Sequence, residues 1–153
     1  MKKVKLAKGR VIDGHAPGLS GKDLNAYLAA GASSDHESIA IEEGREKLRR
    51  GMYLMIREGS SEKDLDELLP LVTDKTYKRC FFVTDDRTCV DLLKEGDIDA
   101  VVRKAIARGL DPIRALQMAT INAAEHFRLK QVGAIAPGYV ANLIVIDDLS
   151  KLS

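Results

Sequence analysis

The chain is 153 residues long, 45% hydrophobic and 31% charged, which suits one globular domain or a piece of a larger one. Its 24 Lys and Arg against 23 Asp and Glu leave a net charge of +1, and aromatics are 5% with no tryptophan. That balance argues against a nucleic-acid partner. No apolar run approaches the roughly 20 residues that span a bilayer, so no membrane association is expected.

Short apolar runs then alternate with helical patterns. Val11 and Ile12 predict a strand over 10–13, running into the turn Gly14-His15-Ala16-Pro17-Gly18. Ser20 as N-cap and Gly31 as a stop predict a helix over 22–30. Residues 32–34 read as a short strand ending at Asp35-His36-Glu37. A charged helix follows over 38–50, and its charge run 42–50 reads as a solvated face laced by pairs such as Glu43–Lys47 and Glu46–Arg50. The run 52–56 predicts a buried strand that ends at Arg57-Glu58-Gly59-Ser60. A helix over 62–72 takes its apolar stripe from Leu65, Leu68, Leu69 and Val72. A fourth strand, over 80–84, closes on Asp85-Asp86-Arg87. Helices are predicted over 90–94, 98–108 and 112–127, the last opened by Asp111 and Pro112. After a turn-rich stretch, the apolar run 142–147 predicts a strand of a small β element.

Four strand–helix units in succession imply an α/β chain with parallel strands and right-handed crossovers. The polar residues that stand out, His15, His36, Glu58 and Asp85, each close an apolar run and precede a helix. In a parallel sheet such positions share one edge, so the four side chains can converge. Two imidazoles and a carboxylate suit zinc, iron or manganese. A bound divalent ion makes water a nucleophile at neutral pH, and Glu58 or Asp86 would move the proton. Taken singly, each residue has a plainer use: a hydrogen-bonded histidine, an N-capping Asp85-Asp86 pair, a solvated Glu58. His126, inside a helical stretch, reads as packing or surface. Cys80 reads as an inert core thiol, and neither it nor Cys89 belongs to a CxxC pair. With no signal-peptide core after the basic residues 1–8, the expected setting is cytoplasmic.

At these residues the chain resembles a known family. Val11-Ile12-Asp13-Gly14-His15-Ala16-Pro17-Gly18-Leu19, Ser34-Asp35-His36-Glu37, Met55-Ile56-Arg57-Glu58-Gly59-Ser60 and Thr84-Asp85-Asp86-Arg87 are similar to segments of bacterial and archaeal adenine deaminases of the amidohydrolase superfamily. With residues 119–124 and 133–148, the similarity covers almost the whole chain. The resemblance implies half of a metal-bearing (β/α)8 barrel over 1–130, with a tail over 131–153 that matches part of the family's small β domain. It makes His15 and His36 metal ligands at the fifth and sixth strands and Asp85 the ligand and proton shuttle at the eighth. Glu58, at the seventh, becomes a substrate-contacting or proton-relay carboxylate. The implied reaction is attack of metal-activated water on the purine carbon that bears the amino group.

The departures are specific. The family's His-x-His pair from the first strand and its fourth-strand carboxylate have no counterpart among these residues, whose histidines are 15, 36 and 126. Thr88 stands where many members carry His, and Asn142 where Asp is usual. Four strands would leave two open edges and an inner apolar face lined by Val11, Met55, Phe81 and Val83, so a homodimer or higher homo-oligomer is expected. A metal-dependent hydrolase acting on a small molecule is the leading expectation. Promiscuous ester or phosphoester hydrolysis, and a non-catalytic subunit needing an N-terminal half, are the alternatives.

Overall fold

A computed structural model describes residues 2–7 and 9–152. Among these residues, one sheet holds four parallel strands: β1 (Asp13–Gly14), β2 (Ser34–Asp35), β3 (Tyr53–Arg57) and β4 (Cys80–Val83), in the order β1-β2-β3-β4. Chain order equals sheet order, as in a stretch of (β/α) barrel wall. A helix α1 (Lys2–Leu6) precedes the sheet, and α2 (Gly21–Ala29), α3 (Ile41–Arg49) and α4 (Leu65–Leu68) join its strands. Then come α5 (Cys89–Lys94), α6 (Ile98–Ala107), α7 (Pro112–Ala119) and α8 (Ile121–His126). The architecture is the expected half barrel.

Alternation along the strands separates two faces. Leu54 and Ile56 of β3 and Cys80 and Phe82 of β4 pack with Leu65, Leu68, Val101, Val102, Ala105, Ala115 and Met118 into the main core. Leu24, Ala32 and Met52 form a smaller cluster under α2. The opposite face carries Tyr53, Met55, Arg57 and Phe81. The end of α8 lies against it: the His126 ring is 4.5 Å from Tyr53 and 5.1 Å from Phe81, and Phe127 meets Phe81 edge-on at 5.8 Å. The Asn122 amide ties α8 down by donating to the Tyr77 and Cys80 carbonyls, at 2.8 and 3.0 Å. Met55 and Phe81, expected on an open inner face, are therefore buried, while Val11 and Val83 keep partial exposure.

Several elements differ from expectation. β1 pairs at 13–14, not 10–13. The helix expected over 62–72 shortens to α4 and a 3-10 turn at Leu69–Leu71, because Pro70 removes a backbone donor and Asp64 is drawn to Arg57. The helix expected over 112–127 breaks at Thr120, whose hydroxyl donates to the Leu116 carbonyl at 2.6 Å and whose backbone leaves the helical region. The strand expected at 142–147 is not a strand: Leu143, Ile144 and Val145 are exposed, with no partner strand among the described residues to hold an extended segment. No described helix is long and apolar enough to cross a membrane.

Candidate metal centre

The carboxyl ends of the strands deliver their polar residues to one edge of the sheet. His15 follows β1 directly. The approach there is tight: a Cβ on Gly14 would sit 2.4 Å from the Ser34 carbonyl oxygen, so glycine lets β1 lie against β2. The His15 amide donates to the Tyr27 hydroxyl at 3.0 Å, which anchors the turn to α2. His36 and Glu37 follow β2. The two imidazoles meet edge-on at 5.5 Å between centroids. Glu37 sits between them, with Oε1 3.4 Å from His15 Nδ1 and 3.4 Å from His36 Nε2. Donor atoms of His15, His36 and Glu37 all lie within 4.8 Å of one another.

His36 is oriented from behind. Its Nδ1 lies 2.9 Å from Asp13 Oδ2 on β1; an N–H there leaves the Nε2 lone pair turned toward the cluster. His15, by contrast, is 69% exposed and stands at the mouth.

Arg57, at the end of β3, ties the centre together. Only 3% exposed, its Nη1 donates to Glu37 at 2.5 Å and to Asp85 at 3.2 Å, and its Nε donates to Asp64 at 3.1 Å. Burial costs the guanidinium, but Glu37 and Asp64 overcome it and raise its already high pKa. It is a permanent cation between carboxylates. Asp85, predicted as the third ligand, meets the same Nη1 as Glu37 but lies outside the His15–His36–Glu37 cluster; it is half exposed, and its backbone holds a left-handed φ of 51°.

The other predicted carboxylates lie elsewhere. Glu58 alternates to the helix side of β3: Oε1 accepts from Lys104 Nζ at 2.7 Å and Oε2 from the Leu65 amide at 3.3 Å. Asp86 accepts from the Ser60 and Ser61 amides at 3.1 and 2.9 Å and from the Ser61 hydroxyl, which together hold its carboxyl down at about 2. A group that acidic is a poor proton carrier near neutrality. His126 is buried on the inner face, with Nε2 3.1 Å from the Ser34 hydroxyl, and burial lowers its pKa. Sequence reasoning passed over Glu37 and Arg57. The usable signals were adjacency to His36 and a lone arginine closing an apolar strand.

Two imidazole nitrogens and a carboxylate oxygen, mutually within 4.8 Å, suit a small divalent cation, whose ligands stand about 2 Å from the ion. The residues present fit a metal. The model of the amidohydrolase family matches residues 1–153. An adenine deaminase of Dehalococcoides mccartyi is 71% identical over 150 residues, which are 98% of this chain and 26% of that protein. Adenine deaminases of Oceanobacillus iheyensis and Methanoculleus marisnigri are 56% and 59% identical over 144 and 138 residues, which cover 94% and 90% of this chain and 25% and 27% of theirs. The chain thus spans about a quarter of the length of the curated relatives it matches.

Proposed function

The chain belongs to the amidohydrolase family, and on that premise we propose that it supplies one side of the active centre of a metal-dependent hydrolase that deaminates adenine. The observation that carries this reading is the convergence of His15, His36 and Glu37 at the carboxyl edge of the sheet, with Asp85 one guanidinium away.

In this reading His15 and His36 hold a divalent ion, zinc, manganese or iron, with Asp85 or Glu37 as the carboxylate of the set. Such an ion supplies Lewis acidity and lowers the pKa of water from near 16 toward roughly 7. Asp13 holds the His36 ring so that one nitrogen stays available. In the same reading Asp85 takes a proton from the attacking water and returns it to the amino nitrogen, which leaves as ammonia; its half-exposed carboxylate supports that role. Arg57 joins Glu37 and Asp85 through one guanidinium nitrogen and sets a fixed positive charge beside both. Glu58 and Asp86, considered above as proton carriers, have structural work in this reading: they fix the base of α6 and the 60–61 turn.

The centre opens toward β1 and β4, each of which pairs with a single neighbour in the sheet. We propose that further strands complete the barrel, from elsewhere in the polypeptide or from a second copy of the half barrel, and bring the remaining ligands. The test is metal content per chain, native mass by light scattering and ammonia release from adenine, on wild type and a His15→Ala/His36→Ala double variant. Stoichiometric zinc, manganese or iron in the wild type, absent from the double variant, is the expected result. Metal retained in the double variant refutes this ligand set.

A further inference from the structure

Behind the two histidine-bearing loops lies a buried charged knot that the reaction does not use. Lys47 of α3 is fully buried, with 0% of its side chain exposed. Its ammonium donates to the Ala16 carbonyl at 2.7 Å, Glu43 Oε1 at 2.7 Å, Asp35 Oδ2 at 2.8 Å and the Ser38 hydroxyl at 3.0 Å. An ammonium has three protons, so these four acceptors saturate it.

Each acceptor reaches on into one of the loops. Asp35, the last residue of β2 and also fully buried, accepts from the Ala16 amide at 2.8 Å through Oδ1 and from the Glu37 amide at 3.1 Å through Oδ2. Glu43 accepts from the Gly18 amide at 2.7 Å and the Ile39 amide at 3.4 Å. The knot therefore grips the backbone on the C-terminal side of His15, at residues 16 and 18, and that of the loop just after His36, at residues 37 and 39.

We propose that Lys47 is a positioning residue, which sets the spacing of His15, His36 and Glu37 by clamping both loops to α3 from behind. The geometry favours this over simple packing. An apolar side chain of the same length would fill the space, yet would remove the ammonium that joins the Ala16 carbonyl to Asp35, Ser38 and Glu43, and leave the buried Asp35 without its cation. Lys47 touches none of the three donor groups; it acts through Ala16, Asp35 and Glu43. The inference rests on the metal reading above, and removal of such outer partners typically weakens metal binding roughly 10–100-fold.

The test uses cobalt(II) as the probe, because its visible absorption reports both occupancy and ligand geometry. Cobalt titrations compare wild type, Lys47→Met, Glu43→Gln, which keeps the Asp35–Lys47 contact, and Met118→Ala, a core truncation remote from the loops. All are read below their urea transitions. Expected is a weakening of roughly 10–100-fold in Lys47→Met with an altered spectrum, a smaller loss in Glu43→Gln, and wild-type affinity in Met118→Ala. If Lys47→Met does not fold, Glu43→Gln decides alone. Wild-type affinity and spectrum in the lysine and glutamate variants overturn the positioning role, as does an equal loss in Met118→Ala. A wild-type chain that takes up no cobalt overturns the metal reading, and this inference falls with it.

Discussion

Replacing Arg57 by methionine tests whether one buried cation holds the strand ends together. At 3% exposure Arg57 serves Glu37 and Asp64, whose side chains are 17% and 9% exposed, and it also reaches the more open Asp85 and Glu62. Surface pairs contribute about 0–1 kcal/mol, so Asp85 and Glu62 add little. Stranding a buried carboxylate costs about 3–5 kcal/mol. Because Glu37 and Asp64 keep some solvent, the lower end applies, and Arg57→Met should lose about 3 kcal/mol at pH 7.5. For a chain of this size that lowers Tm by about 6–12 °C.

The pH dependence has a definite sign. Burial holds the Asp64 carboxyl above its ordinary value even with Arg57 beside it. A group raised in the folded state gives its full stability below the unfolded pKa and loses it as pH rises through the folded one. Without the guanidinium Asp64 rises further, so the variant's deficit shrinks on acidification toward about pH 5. Urea unfolding followed by circular dichroism at pH 7.5 and pH 5 measures both quantities. A loss under about 1 kcal/mol at pH 7.5, or a deficit that grows on acidification, would refute the argument.

Two further outcomes follow from burial and pairing. Glu58→Gln weakens the contact with Lys104 but keeps an acceptor for the Leu65 amide, so it should cost about 1–2 kcal/mol and leave cobalt affinity within about twofold. A tenfold loss of affinity in isothermal titration would return Glu58 to the reacting centre. Burial pushes the Cys80 thiol up to about 12, whereas Cys89 is exposed at the start of α5. A chromogenic disulfide reagent at pH 8 should therefore titrate Cys89 alone in the native chain and both thiols in guanidinium; rapid reaction of both in the native state contradicts the fold at β4.

What was readable in advance was local in origin. The apolar runs before Glu58 and Asp85 mark β3 and β4, because a parallel strand buried on both faces is largely apolar, whereas β1 and β2 pair only at Asp13–Gly14 and Ser34–Asp35, beside the apolar residues that signalled them. Glycine and proline punctuation located most of the helices, and the alternation of types implied the parallel order β1-β2-β3-β4. That order alone brings residues 15, 36 and 85 to one edge. The tertiary structure decided which side chains face that edge and what each one touches. Strand parity turns Arg57 inward and Glu58 toward α6, a difference of one residue that no motif spacing reveals. Glu37 joins the histidines, and Lys47 disappears into the interior, only because α3 packs its charged side against two loops. In the linear chain the Glu43–Lys47 pair looked like a solvated helix face. The apolar run 142–147 failed as a strand for the converse reason: extended backbone needs a neighbour to receive its hydrogen bonds, and a neighbour is a property of the fold, not of the segment.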